Sequence, residues 1–124
     1  MLRTLGNLGA ALVAAAFLGL GAGSVADPRA LARNYGIPVD DAASIAYVRA
    51  TGMRDALLGL LIFEFLRRGD RRALATTIGF SSFAGASDFT LVATSRGAAA
   101  PLSLGIHAGG TLGLVALWAV VRAA

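Results

Sequence analysis

Cysteine is absent from the chain, which excludes a disulfide framework, a thiolate metal site and a cysteine nucleophile. Lysine is absent as well: all 11 basic residues are arginine, set against 7 acids for a net charge of +4. An all-arginine basic set fits GC-rich coding and a bacterial source. There is one histidine, so with scattered acids no dedicated metal site is expected. The sequence contains no G-x-S-x-G elbow, no P-loop and no dinucleotide fingerprint, and no cofactor is expected. Charge is scarce, at 15% of residues against roughly 25% in a typical soluble domain.

What is present is apolar and small. The chain has 124 residues, enough for one domain, and is 56% hydrophobic with 16 glycines. Its mean hydropathy is +0.71. Small residues let helices approach closely in lipid, where apolar burial between helices supplies little drive. The composition points to a membrane protein, with the lipid bilayer as its first partner. The arginine excess is not a nucleic-acid signal, because four of the arginines sit in one short turn, "RRGDRR" (67–72), which reads as a topology determinant.

The hydropathy pattern predicts an all-α protein: a bundle of four transmembrane helices over about 4–26, 42–66, 73–95 and 102–121, forming a single membrane domain over 1–124. Residues 4–26 carry no charge, and at ~1.5 Å per residue they can cross a ~30 Å hydrocarbon layer. The alternative for this segment is a cleaved signal, with Arg3 before it and "SVA" ahead of Asp27. Between the first two spans, Asp27-Pro28 reads as a helix start and Gly36 as its stop. Leu31 and Tyr35 then share one face of a short interfacial helix. Arg3, the arginine-rich turn and Arg122 fall on one side, which places both termini in the cytoplasm of a multi-pass cell-membrane protein. Trp118 and Tyr47 read as interfacial anchors, and Glu64 as the ion-pair partner of Arg67 or Arg68 near a helix end.

Small residues recur at helical spacing: Ala11, Ala15, Gly19 and Gly23 in the first span, and Gly105, Gly109 and Gly113 in the fourth. In the second and third spans the stripe includes an acid: Gly52, Asp55 and Gly59, then Ser81, Gly85 and Asp88. These are expected helix-packing positions. A second span starting near Ala42 puts Arg54 and Asp55 ~18–20 Å along a helix ~37 Å long, well inside the bilayer. Arg49, Arg54, Asp55, Asp88 and His107 are therefore expected to meet as a buried polar cluster, with Arg54 paired to Asp88 or Asp55 to His107.

The ordering "ADPRALARNYGIP", "YVRATGMRDALLGLL", "GDRRAL", an aspartate in the third span and "IHAGGTLGLV" resembles the small membrane proteins grouped as domain of unknown function 4267. The most specific parts are Arg49, Gly52, Arg54, Asp55 and Gly59, then Asp88, then His107, Gly109 and Gly110. The resemblance implies the four-helix membrane architecture and no reaction. Three functions fit the expected cluster. The first is a module that binds a small lipophilic ligand or a partner, a second copy of the chain included. The second is a membrane enzyme with Asp88 or Asp55 as base, His107 as acid and Arg54 stabilising negative charge. The third is a small proton-coupled transporter.

Overall fold

The computed structural model describes residues 1–124 and contains helices joined by short turns. Five α-helices follow one another: α1 (Leu2–Ala26), α2 (Pro28–Tyr35), α3 (Ala42–Arg68), α4 (Arg71–Arg96) and α5 (Pro101–Ala123), with one 3-10 turn at Gly97–Ala99. The all-α expectation stands, including the short second helix.

The helix ends are set by local chemistry. Asp27, Asp41 and Asp70 each accept a hydrogen bond from the backbone N–H three residues on, at 2.9, 2.9 and 3.0 Å. These bonds satisfy donors that a helix start leaves without a partner. Pro28 and Pro101 occupy the first helical turn, where their missing N–H costs nothing. Gly36 and Gly69 close α2 and α3 in the left-handed conformation.

Only α1 and α5 combine the length and sustained hydropathy of a membrane span. The four expected spans are therefore two by that measure. With 27 and 26 residues, α3 and α4 are long enough, but Arg54, Asp55 and Glu64 break the apolar run of one. Asp88 and a series of hydroxyl residues break that of the other.

The main packing pairs are α1 with α3 and α4 with α5; α1 with α5 and α3 with α4 make much smaller contacts of similar extent. The core gathers at the end of the bundle that carries the arginine-rich turn. Ala10, Ala14, Ile62, Leu74, Ala75, Ile78 and Val121 form one buried cluster there, with Phe17, Phe65 and Trp118 packed around it. Elsewhere the helices turn apolar side chains outward: only 18 of 124 residues are buried. Leu12, Leu57, Leu60, Phe63, Phe80, Phe83 and Leu112 are all exposed.

Glycines make the α1–α3 seam. A Cβ added to Gly21 would sit 2.6 Å from Ala56 Cβ and 2.7 Å from the Gly52 carbonyl oxygen. One added to Gly59 would lie 2.8 Å from the Ala14 carbonyl oxygen, and one on Gly52 would overlap Ser24. On α1 the buried face is Gly6, Ala10, Ala14, Gly21 and Ser24, not the expected Ala11–Gly23 stripe. A strict spacing of four drifts roughly 40° per step around a helix, so Ala11, Ala15, Gly19 and Gly23 wind off any one face. The buried set, spaced four, four, seven and three, returns to it. Gly105, Gly109 and Gly113 of α5 face open space, with no neighbouring atom within 4 Å of a Cβ built there. On α4, Gly85 packs against Thr111, whose Oγ1 would lie 2.7 Å from an added Cβ.

Candidate functional site

At the opposite end from the core, α2 packs on α1 and α3, and its last residues fasten it to α4 and α5 by hydrogen bonds. The Tyr35 hydroxyl donates to Asp88 Oδ1 at 2.8 Å. The Tyr35 carbonyl lies 2.9 Å from His107 Nε2. A carbonyl can only accept, so that ring nitrogen carries the hydrogen and donates. The rings of Tyr35 and His107 meet edge to face, with centroids 4.7 Å apart, a favoured aromatic geometry. One residue earlier, the Asn34 carbonyl accepts from Ser103 Oγ at 3.1 Å. Gly36, with φ +108°, lets the chain turn directly against Ser103 and Val92. An alanine Cβ there would sit 2.8 Å from Ser103 Cβ.

The sequence explains this placement. Asp27 and Pro28 start α2 immediately after α1, and Leu31 packs on Gly23 of α1, where an added Cβ would be 2.9 Å away. Tyr35, one turn further on, takes the same face across to α4 and α5. An isolated helix of 8 residues is unstable in water, so α2 depends on these anchors at both ends.

Burial, first, then the Asp88 hydrogen bond and the charges of Asp88 and Asp55 push the Tyr35 phenol well above its ordinary pKa of 10.0. A phenol favoured in its neutral form by folding contributes stability that is complete below about pH 10 and lost as pH rises towards the folded-state value. Alkaline unfolding of the intact protein should therefore steepen above about pH 10, and Tyr35→Phe should remove that component. Circular dichroism at 222 nm across pH 8–12 checks it; identical profiles for the two proteins would contradict the assignment.

The expected Arg/Asp/His cluster does not form. Arg49 and Arg54 are exposed, and no ion pair links either to Asp55 or Asp88. The ion pairs of the chain are Arg29–Asp40 at 3.9 Å and Arg67–Glu64 at 2.8 Å, both outside the bundle interior. The reason is helical phase. Gly52 and Gly59 fix the buried face of α3 against α1, and Arg54 lies roughly 200° round from Gly52. Its side chain therefore leaves the seam. The structure does bring Asp88 and His107 together, but through Tyr35 and not through an arginine. Asp55 is half-buried and within electrostatic reach of the Tyr35 phenol.

Tyr35 is the site residue that the sequence did not single out, since there it reads only as part of the face of a short interfacial helix. The Leu31/Tyr35 spacing and the glycine stop show the shared face and the helix end, but nothing local shows that the phenol reaches Asp88, 53 residues away. Glu64 behaves as expected, in a bidentate contact with Arg67 at 2.8 Å for both bonds. Trp118 is packed beside the core and carries Arg122 over its ring at 5.0 Å, whereas Tyr47 is exposed.

A family model described as a domain of unknown function (DUF4267) matches residues 14–122. The chain belongs to the DUF4267 family. The matched region starts within α1 and contains Tyr35, Asp88 and His107, so all three anchoring residues lie inside the DUF4267 domain. No curated protein and no solved structure matches the chain.

Proposed function

We propose that the chain is a single multi-pass membrane domain in which α1, α3, α4 and α5 all cross. The arginine-rich turn and both termini lie on the cytoplasmic side, and α2 lies across the outer ends as a strap. The polar residues around Tyr35 act as its fastening. Their role is architectural: they hold the α1–α3 and α4–α5 pairs together where the apolar core does not reach.

The outward display of large apolar side chains carries this reading. An aqueous surface rarely bears contiguous apolar patches of more than a few hundred Å², whereas leucine and phenylalanine on every long helix suit lipid. Two further features support the crossing of the less apolar helices. Along α4, Thr76, Thr77, Ser81, Ser87, Thr90 and Thr94 each donate to a carbonyl four residues back, and Ser82 to one three back. A hydroxyl satisfied by its own helix does not need water. On α3, Glu64 and Arg67 neutralise each other one turn from the helix end.

Membrane fractions washed with alkaline carbonate should retain the protein, and detergent should release it. Release by carbonate alone would remove the membrane reading.

A further inference from the structure

The cytoplasmic end of the bundle holds a second polar site, separate from the Tyr35 fastening. A cavity of about 280 Å³ opens between the start of α1, the end of α3 and the first turn of α4. Arginines 3, 67, 68 and 71 line it, and no acid does. At about 30 Å³ per water, the space is far larger than one or two solvent molecules need. Its inner wall is Phe65, Leu66 and Leu74, which belong to or pack on the apolar core.

The arginines are not equivalent. Arg67 is neutralised by Glu64. Arg71 is held in place by neutral acceptors only: its Nη1 donates to Asn7 Oδ1 at 3.2 Å and its Nη2 to the Val121 carbonyl at 2.9 Å. Its charge is thus positioned but not cancelled. The Arg71 Nε is buried with no partner, and a buried unsatisfied donor on a charged group is costly. Arg3 and Arg68 are exposed on the rim, and neither forms an ion pair. Three guanidinium groups that form no ion pair, Arg68 being the one within electrostatic reach of Glu64, surround one cavity as an anion receptor, and guanidinium matches the tetrahedral oxygens of phosphate in planar, two-pronged fashion.

We propose that this cavity binds an anionic phosphate group, that of a phospholipid headgroup in the inner leaflet. The polar rim takes the phosphate, and the Phe65–Leu66 wall takes the apolar root of the lipid. Basic pockets between helices at the cytoplasmic face have the right depth for such a headgroup. The lipid source rests on the membrane reading above, while anion recognition by the arginines does not.

The test uses the full chain in dodecyl maltoside, with thermal unfolding followed by the fluorescence of Trp118. The probes are phosphatidylglycerol, phosphatidylcholine, and sodium phosphate against sodium chloride at equal ionic strength. Phosphatidylglycerol should raise the Tm saturably and phosphatidylcholine should not. Arg68→Gln, at an exposed position without a partner, should weaken phosphatidylglycerol binding about ten-fold, the effect of losing one charge-assisted contact. Arg71→Gln should abolish it. A response to phosphatidylglycerol without one to sodium phosphate assigns the lipid; equal responses keep the anion site but make free phosphate its ligand. Equal responses to the two lipids would overturn the proposal, as would phosphatidylglycerol binding unchanged in both variants. Failure of the membrane reading would show separately, as a chain that stays dispersed without detergent.

Discussion

Replacing Gly59 by valine should cost about 2–3 kcal/mol, at the upper end for overpacking, and should separate α3 from α1. The Cβ alone would meet backbone: 2.8 Å from the Ala14 carbonyl oxygen and 3.1 Å from the Leu18 nitrogen. A flexible side chain could swing aside, but a backbone atom moves only if its helix does. The control is Gly109→Ala, where an added Cβ meets nothing within 4 Å. There, alanine removes glycine's excess freedom in the unfolded chain and should be neutral or stabilising by up to about 1 kcal/mol. Denaturation in detergent, followed by circular dichroism, measures both. Equal losses at the two positions would mean that the α1–α3 contact is not what the glycines serve.

Tyr35→Phe should cost about 1–3 kcal/mol, because it leaves the half-buried Asp88 carboxylate without its donor at 2.8 Å. Asp88→Asn should cost less, since its side-chain carbonyl still accepts from the phenol. The combination of Tyr35→Phe with Asp88→Asn should then cost less than the sum of the two. Strict additivity would show that the hydroxyl and carboxylate do not interact. The loss should also be local. With one anchor gone, α2 should exchange its amide hydrogens about ten-fold faster for each 1.4 kcal/mol lost, while α1 and α3 keep their protection. Mass-spectrometric exchange on peptides spanning 28–36 reads this directly.

The sequence reveals the helix ends because a cap is decided within four residues. Asp27-Pro28 at the start of α2 and Gly36 at its end are visible without any tertiary information. So is the Glu64–Arg67 pair, which needs only one helical turn. Helical phase is less legible. The glycine stripe at spacing four in α1 drifts around the helix, and the buried face is chosen by what α3 presents to it. The same dependence hides the fate of Arg54, whose direction is set by Gly52 and Gly59 packing on α1. The partner of Asp88 is harder still. Tyr35 is 53 residues away, on a short helix whose apolar face gives no hint that it turns towards α4 and α5. The right pair of elements could be inferred from depth along the helices, but the connecting residue could not.

The architecture stands or falls on whether α4 crosses the bilayer, since it is the most hydroxyl-rich of the long helices. Its two ends, Arg72 and Ser95, are exposed, and the chain has no cysteine of its own. Single Arg72→Cys and Ser95→Cys variants, expressed in cells and treated with a membrane-impermeant maleimide, give opposite answers if the helix spans. Ser95→Cys should label in intact cells, and Arg72→Cys only after permeabilisation. Labelling of both from the same side would place the two ends of α4 in one compartment and contradict the four-crossing arrangement.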